Sequence, residues 1–278
     1  MQTQPESCYQ VLRNRSNQTI ITKVNASMTK VIAVFNQAGG VAKSTLTYNL
    51  GYHLVQKGHR VLLIDMDPQA SLTKFLGLVP AQLEQTVSDA IVEEQPLPIH
   101  KEIHGMDLAP SSRVLSGAEM QLVSAAMRDL RLKEAIEPIQ DSYDFILIDC
   151  PPSLGLLSYI SLVAATHVLV PVETHLKAFE GTDELLQTLA HVKNKANRKL
   201  QIIGFVPTRY AHQNSADKRT LGAISEQLSS WGKIFPPIPR ATAFVDATED
   251  RVPLAIYEPK HPAVAVLDQL AKHMESLT

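Results

Sequence analysis

The segment from Gln37 to Thr45 reads Gln-Ala-Gly-Gly-Val-Ala-Lys-Ser-Thr, with two glycines, a lysine and two hydroxyl side chains. Glycines let backbone N–H groups surround a phosphate, and the N-terminus of a following helix adds partial positive charge. In such a loop the lysine reaches the β- and γ-phosphates of a nucleotide, and the hydroxyl after it binds Mg²⁺. We therefore predict that Lys43 contacts phosphate, that Ser44 binds the metal, and that the nucleotide-binding loop consists of Gly39, Gly40, Val41, Ala42, Lys43, Ser44 and Thr45.

The loop departs from the pattern G-x-x-x-x-G-K-S/T, because Gln37 and Ala42 stand at its two glycine positions. The alternative interpretation is a glycine-rich turn between a strand and a helix that binds no ligand. The flanking segments favour the phosphate loop, since Lys30–Asn36 is an apolar strand and Lys43–Lys57 has apolar residues at helical spacing.

Three aspartates stand at or just after the ends of two further apolar segments. Arg60–Asp65 continues into Asp65-Met66-Asp67, and Phe145–Asp149 ends in Asp149. In an open parallel sheet, ligands bind beyond the carboxyl ends of the strands, so these side chains are delivered to the edge that carries Lys43. We predict that Asp149 holds Mg²⁺ through water, that Asp65 or Asp67 orients the attacking water, and that Asp67 is a further candidate for the metal. The alternative is that the aspartates cap the following helices.

Strand-like and helix-like segments alternate along the chain after Met28, and several strands are apolar throughout, as in a parallel sheet buried on both faces. We predict a doubly wound α/β fold, with a mostly parallel sheet and helices on both faces. The predicted strands are Lys30–Asn36, Arg60–Asp65, Leu108–Pro110, Phe145–Asp149, His167–Pro171 and Gln201–Pro207. The predicted helices are Lys43–Lys57, Gly117–Ile136, Leu156–Ala165, Gly181–Lys195, Ser215–Ser230 and Ala263–Met274.

Composition indicates an ordinary globular protein, with 278 residues, 45% hydrophobic and 19% charged. Residues 28–278 are expected to form a single domain, and the polar residues 1–27 a disordered leader. The two cysteines are too few for a disulfide framework, and no apolar run is long enough to span a bilayer, so we expect a cytoplasmic protein. The formal net charge of -2 means that any DNA binding must come from a local basic patch.

Three motifs together resemble those of the ParA/MinD-type ATPases, which have a deviant Walker A loop. They are Gly-Gly-Val-Ala-Lys-Ser-Thr at 39–45, Leu-Leu-Ile-Asp-Met-Asp-Pro-Gln at 62–69 and Ile-Leu-Ile-Asp-Cys-Pro-Pro-Ser at 146–153. The resemblance implies an ATP- and Mg²⁺-dependent ATP hydrolase that sandwiches ATP in a homodimer, binds the nucleoid through non-specific DNA contacts, and is stimulated by an adaptor. By position it implies that Asp65 supports hydrolysis and Asp149 the metal. Near the adenine it places Thr208, Arg209, Pro239 and Arg240.

The family's loop begins with a signature lysine that reaches the partner's ATP, and here that position is Ala38. Lys177 is the candidate for a replacement cation, the alternative being a solvated surface lysine. The loss of the signature lysine together with a lysine at position 177 resembles the McdA-type ATPases, which space carboxysomes along the nucleoid with the adaptor McdB. The alternative is a plasmid or chromosome partition ATPase with a ParB-like adaptor.

Other functional classes fit the sequence less well. A MinD-like membrane-cycling protein needs a basic amphipathic C-terminal helix, whereas Ala263–Thr278 has mixed charges and no bulky aromatics, so no membrane partner is expected. An iron–sulfur reductase needs two cluster cysteines at a dimer interface, and neither Cys8 nor Cys150 is well placed. A metabolic synthetase would need a substrate pocket, for which the sequence gives no signal. The candidate DNA-binding patches, or else ordinary solvated surfaces, are His191–Lys199 and Lys218-Arg219.

Overall fold

The computed structural model describes residues 9–13, 19–23, 28–175 and 181–277. Its main sheet contains β3 (Lys30–Val34), β4 (Val61–Asp65), β5 (His100–Ile103), β6 (Met106–Ala109), β7 (Phe145–Asp149), β8 (His167–Glu173), β9 (Gln201–Thr208) and β10 (Lys233–Ile234). The spatial order is β10-β9-β8-β3-β7-β4-β6-β5. Neighbouring strands are parallel except for β5, which runs antiparallel to β6. The prediction of a doubly wound, mostly parallel sheet is confirmed.

The helices within the described ranges are α1 (Lys43–Gln56), α2 (Ser71–Phe75), α3 (Val87–Glu93), α4 (Val114–Leu122), α5 (Arg131–Ile136), α6 (Leu156–Ala164), α7 (Thr182–Lys195), α8 (Ser215–Leu228), α9 (Ala243–Glu249), α10 (Leu254–Tyr257) and α11 (Pro262–Glu275). None of them is long and apolar enough to cross a bilayer.

The core has two halves, one on each face of the sheet, because successive residues of a strand point to opposite faces. Val31 and Ala33 of β3 belong to one hydrophobic cluster, which contains residues of α3 to α8. Ile32 and Val34 belong to the other, which contains residues of α1, α2 and α9 to α11. The central strands are therefore buried on both sides, which accounts for their continuous apolar sequence.

One predicted helix is wrong. The range Gly117–Ile136 is not one helix but α4 and α5, separated by a bend and a 3₁₀ turn at Arg128–Leu130. Met127 takes a left-handed backbone with φ of 53°, which an α-helix cannot contain. In a continuous α-helix the carbonyl of Val123 would accept the backbone N–H four residues later. Here it accepts a hydrogen bond from the Arg128 guanidinium instead. The apolar spacing continued across the break, so the pattern alone did not reveal it.

Two strands lie within the N-terminal leader, for which we predicted no regular element. β1 (Tyr9–Arg13) and β2 (Thr19–Lys23) pair antiparallel in a two-stranded sheet of their own, with Tyr9 opposite Lys23. Four of the five residues of β2 are Thr or Ile, which are β-branched and favour strands. These two ranges therefore contain regular structure, and the prediction of a disordered leader stays a prediction. The other residues of 1–27 lie outside the described part of the chain, and the single domain over 28–278 stays a prediction.

Candidate functional site

The loop between β3 and α1 is held by its own residues and by the neighbouring strand. Asn36 accepts the N–H of Ala38 through Oδ1 at 2.9 Å and donates through Nδ2 to the carbonyl of Pro171 in β8 at 2.7 Å. Gly40 and Ala42 have φ of 76° and 71°, in the left-handed region. That backbone suits glycine and is strained for alanine, so Ala42 is kept there at a conformational cost.

Lys43 folds back into the loop that it follows. Its Nζ donates to the carbonyl of Ala38 at 2.8 Å, and the residue is only 7% exposed. Burial lowers the pKa of Lys43, while the negative charges of Asp149 and Asp67 oppose that shift. The ammonium is thus kept inside the ring of the loop, where an incoming phosphate would be a better partner than one backbone carbonyl.

Asp149, the last residue of β7, is a fully buried carboxylate without a hydrogen-bond partner among the described residues. Neither oxygen bonds to any side chain or backbone group of the described residues. Burial, followed by repulsion from Asp65, raises the pKa of Asp149 well above its usual value. Ser44 and Lys43 oppose the shift, although the Ser44 hydroxyl does not meet hydrogen-bond geometry with either oxygen.

These residues fit a magnesium ion. An orphaned buried carboxylate is costly, and a cation or its bound water would satisfy it. Ser44 lines the adjoining cavity and supplies the hydroxyl that such a site uses. Within the described ranges no three His, Cys, Asp or Glu side chains converge on a common metal position. Ser44 and Asp149, the latter through water, are the protein groups that would hold Mg²⁺ together with nucleotide phosphates.

Asp65, at the end of β4, is held by hydrogen bonds from neighbouring residues. Its carboxylate is fully buried and accepts hydrogen bonds from the N–H of Asp67 at 3.1 Å and from the N–H and hydroxyl of Thr73 at 2.9 and 2.7 Å. Burial raises the pKa of Asp65 to about 6, against these donors. The carboxylate therefore caps the start of α2 from a distance, and these hydrogen bonds favour the alternative interpretation, a capping aspartate. The water-orienting role of Asp65 or Asp67 stays a prediction.

Asp67 reaches the cavity instead. It lies on the cavity wall, and Oδ1 accepts the N–H of Gln69 at 2.9 Å. The Ser111 hydroxyl donates to the carbonyl of Asp67 at 2.8 Å, which fixes the backbone behind the side chain. Asp67 is also close enough to Lys43 for its negative charge to raise the pKa of that lysine, as Asp149 does.

A cavity of about 780 Å³ opens beside the loop and is large enough for a nucleotide. Its wall contains most of the predicted site residues: Gly40, Ala42, Lys43, Ser44, Thr45, Asp67, Thr208, Arg209, Pro239 and Arg240. Gly39 lies in the loop next to Pro152, and the buried Val41 accepts the Thr208 hydroxyl on its carbonyl at 3.2 Å. Lys177 lies outside the described residues.

An apolar wall faces the loop across this cavity, and sequence reasoning missed it. Phe75 from α2, Phe244, Val245 and Thr248 from α9, and Leu267 from α11 form it. A planar base packs well against such side chains. No motif marks these residues, and α9 itself was not predicted. Only the proximity of Ile-Pro-Arg at 238–240 pointed to this region.

Comparisons with known proteins agree with this geometry. The family model described as AAA domain matches residues 29–202. The sporulation initiation inhibitor protein Soj of Bacillus subtilis is 36% identical over 251 residues, covering 89% of this chain and 98% of Soj. The chromosome partitioning protein ParA of Caulobacter vibrioides is 34% identical over 259 residues, covering 91% of this chain and 96% of that protein. The chain belongs to the ParA/MinD-type family of P-loop ATPases.

Solved structures of similar proteins contain nucleotide. Cobyrinic acid a,c-diamide synthase from Mycobacterium smegmatis with bound ADP and magnesium has a TM-score of 0.78 and 32% identity, over 90% of this chain and 96% of that chain. A variant of Cyanothece McdA in complex with ATP has a TM-score of 0.79 and 25% identity, over 91% and 98%. This ParA/MinD-type chain is an ATPase whose cofactors are ATP and Mg²⁺.

The buried charge of Asp149 predicts an unusual effect of its removal. Its pKa is raised, so ionisation opposes folding as pH rises above the unfolded value of about 3.9. Asp149→Asn should therefore make the nucleotide- and metal-free protein more stable at pH 7.5, by more than about 1 kcal/mol, with the difference vanishing toward about pH 4. Urea unfolding across this pH range, with EDTA, measures it.

The same variant should lose the increase in melting temperature that Mg-ATP gives the wild type, because the metal's acidic partner is gone. Asp144→Asn is the matched control, since Asp144 pairs with exposed Arg60 at 2.9 Å near the other end of the strands. A less stable Asp149→Asn protein at pH 7.5 would contradict the assignment of a charge kept for a metal.

Proposed function

We propose that this chain is a positioning ATPase. It dimerises around ATP, binds DNA non-specifically, and distributes a cargo with an adaptor that stimulates hydrolysis. In the cell it is cytoplasmic and nucleoid-associated. The observation that carries the proposal is the convergence of Lys43, Ser44 and Asp67 on one open cavity, with buried Asp149 close to Lys43 and Ser44, in a chain that aligns over nearly its full length with Soj and ParA.

The chemistry proposed is in-line attack of water on the γ-phosphate. Asp67 orients the water, because it is the strand-end carboxylate that lies on the cavity wall, whereas Asp65 is fully engaged with Thr73. Lys43 stabilises the charge that develops on the phosphate oxygens. Bound Mg²⁺ would neutralise charge on the β- and γ-oxygens. The protein alone supplies slow hydrolysis, and the adaptor accelerates it.

Two cargo classes remain distinct proposals. A chromosome or plasmid cargo with a ParB-like adaptor is favoured by the identity to ParA and Soj. A carboxysome cargo with an McdB-like adaptor is favoured by Ala38 at the signature-lysine position and by the similarity to McdA. In the second case Lys177 replaces the missing lysine across the dimer.

A synthetase is the competing function from a different class, because the Mycobacterium smegmatis structure carries that description. A synthetase would hydrolyse ATP only when its small-molecule acceptor is present. A positioning ATPase turns over ATP without one and responds to DNA and adaptor.

DNA binding is proposed at the end of α7. Lys193, Lys195, Arg198 and Lys199 are exposed there, and none of them forms an ion pair with another described residue. The segment is anchored because the Asn197 amide donates to the carbonyls of Leu162, Val163 and Ala165 at 3.0, 3.2 and 2.6 Å. Fixed, unpaired cations favour phosphate contacts.

The different roles proposed for Asp65 and Asp67 give a prediction about their variants. Asp67→Ala should bind Mg-ATP with affinity near that of the wild type and lose at least about a hundredfold in kcat, because only the water's orientation is lost. Asp65→Ala should instead lower the melting temperature, since it leaves the Thr73 donors unsatisfied. ATP binding, steady-state hydrolysis and thermal unfolding of both variants distinguish these roles. Equal hydrolysis in Asp67→Ala and wild type would exclude the water-orienting role.

The two proposed cargo classes differ in whether Lys177 is needed for ATP-dependent dimerisation. In the Asp67→Ala background, light scattering with Mg-ATP should show a dimer for the protein with Lys177 and a monomer for Lys177→Ala, if Lys177 acts across the dimer. Lys218→Ala is the control for removal of an exposed lysine. Equal dimerisation of both proteins would remove the support for the McdA-like assignment and leave the partition ATPase.

The DNA patch predicts a change in salt dependence. Lys195→Ala combined with Lys199→Ala should weaken binding to a random-sequence duplex, and should reduce the slope of log K against log salt by about one for each phosphate that the protein no longer neutralises. Fluorescence anisotropy with ATP over a salt series measures both quantities. Lys218→Ala with Arg219→Ala tests the second patch. If only that pair changes the slope, the site is on α8.

A further inference from the structure

Glu173, the last residue of β8, holds two arginines at the rim of the nucleotide cavity. Its Oε1 lies 3.5 Å from Nη1 of Arg209 and 3.9 Å from Nη2 of Arg240. The Glu173 side chain is 17% exposed, against 51% and 64% for the arginines. Both arginines line the cavity, so one half-buried carboxylate faces two exposed cations beside an anion site.

Arg209 lies closer to the phosphate-binding loop than the family resemblance, which placed it near the adenine, implied. It follows β9 with φ of 53°, in the left-handed region. Its Nη1 is 3.7 Å from the position that a Cβ would occupy on Gly40. The guanidinium therefore stands against the phosphate-binding loop itself, within reach of phosphate oxygens as well as of Glu173.

The backbone around this cluster is fixed. Glu173 and Thr208 are paired in the ladder between β8 and β9. The N–H and hydroxyl of Thr174 donate to the carbonyl of Thr208 at 3.0 and 3.1 Å, and the Thr208 hydroxyl donates to the loop carbonyl of Val41. The side chains of Glu173, Arg209 and Arg240 extend from this hydrogen-bonded backbone and can exchange partners when a ligand enters.

The ion pairs of Glu173 are weak enough to exchange. One oxygen shared by two guanidiniums, at 3.5 and 3.9 Å and with half-exposed cations, is an arrangement that contributes little. A polyphosphate offers several anionic oxygens and bidentate geometry, which a guanidinium binds more strongly. Transfer of an arginine from the carboxylate to a phosphate is therefore favourable, and the carboxylate competes with the nucleotide.

We propose that Glu173 is a positioning residue that retains Arg209 and Arg240 in the nucleotide-free protein and yields Arg209 to the phosphates of ATP. The proposal rests on the nucleotide site described above. By competing for the same cation, Glu173 lowers nucleotide affinity and speeds nucleotide release. A protein that cycles between bound and free states gains faster resetting from such a competitor.

The test compares Mg-ATP dissociation constants, measured by calorimetry, for the wild type, Arg209→Met and Glu173→Gln. Arg209→Met should weaken binding about tenfold, because one charge-assisted hydrogen bond to phosphate is removed. Glu173→Gln should tighten binding by at least about threefold and slow release of labelled nucleotide in stopped flow, since the competitor is gone. A residue with only a structural role would weaken binding when changed.

A double variant separates local competition from the general effect of one negative charge. In the Arg209→Met, Arg240→Met background, Glu173→Gln should change the dissociation constant less than in the wild type. Arg60→Met is the matched control: it breaks an ion pair with Asp144 away from the cavity and should leave binding unchanged.

Two results would overturn the proposal: unchanged affinity in Arg209→Met, or weaker or unchanged affinity in Glu173→Gln with an unchanged melting temperature. Two other results would contradict the nucleotide site itself rather than the role of Glu173. They are no binding of Mg-ATP by the wild type, and unchanged binding of Mg-ATP by Lys43→Ala.

Discussion

The structure depends on buried charges that lie close together but, among the described residues, form no direct ion pair with one another. Lys43 is nearly inaccessible and touches a backbone carbonyl, and Asp149 is inaccessible with no partner in the described part of the chain. Burial lowers the pKa of the first and raises the pKa of the second, so each carries a cost in the nucleotide-free state. A bound phosphate would pair with Lys43, and a magnesium ion would pair with Asp149. In the nucleotide-free protein the cost of burying both groups is offset by the folding free energy of the rest of the chain.

The parallel sheet brings these charges together. Asp149 of β7 lies opposite Val34 of β3 on one side and Asp65 of β4 on the other. Three adjacent strands thus end at the same level, and their carboxyl-terminal loops share one edge. Two side chains give these aspartates different surroundings: Thr73 donates two hydrogen bonds to Asp65, while the Ser111 hydroxyl donates to the backbone carbonyl of Asp67.

The sequence was sufficient for the fold and for bringing Lys43, Ser44 and Thr45 to one cavity. Loop chemistry, strand-end aspartates and continuous apolar strands each have a local signature, and Phe145–Asp149 was predicted with its observed bounds. It was not sufficient to decide between Asp65 and Asp67. They stand two residues apart where the strand ends and the alternation of side chains stops, and only the positions of Thr73 and Ser111 distinguish them. The apolar wall and Glu173 gave no signal either, because their partners are distant in sequence and meet only through the sheet order.

Two carboxylates of the nucleotide site, Asp149 and Glu173, act on nucleotide binding in opposite directions. Asp149 without a partner among the described residues favours binding of Mg²⁺ with nucleotide, since binding removes a desolvation cost. Glu173 with two arginines opposes nucleotide binding, since entry must separate an existing ion pair. A site with only the first feature would retain its nucleotide after hydrolysis, and a site with only the second would not fill. Because the carboxylates lie on different strands, β7 and β8, their contributions could be adjusted independently, which suits the repeated cycling that we propose for this ATPase.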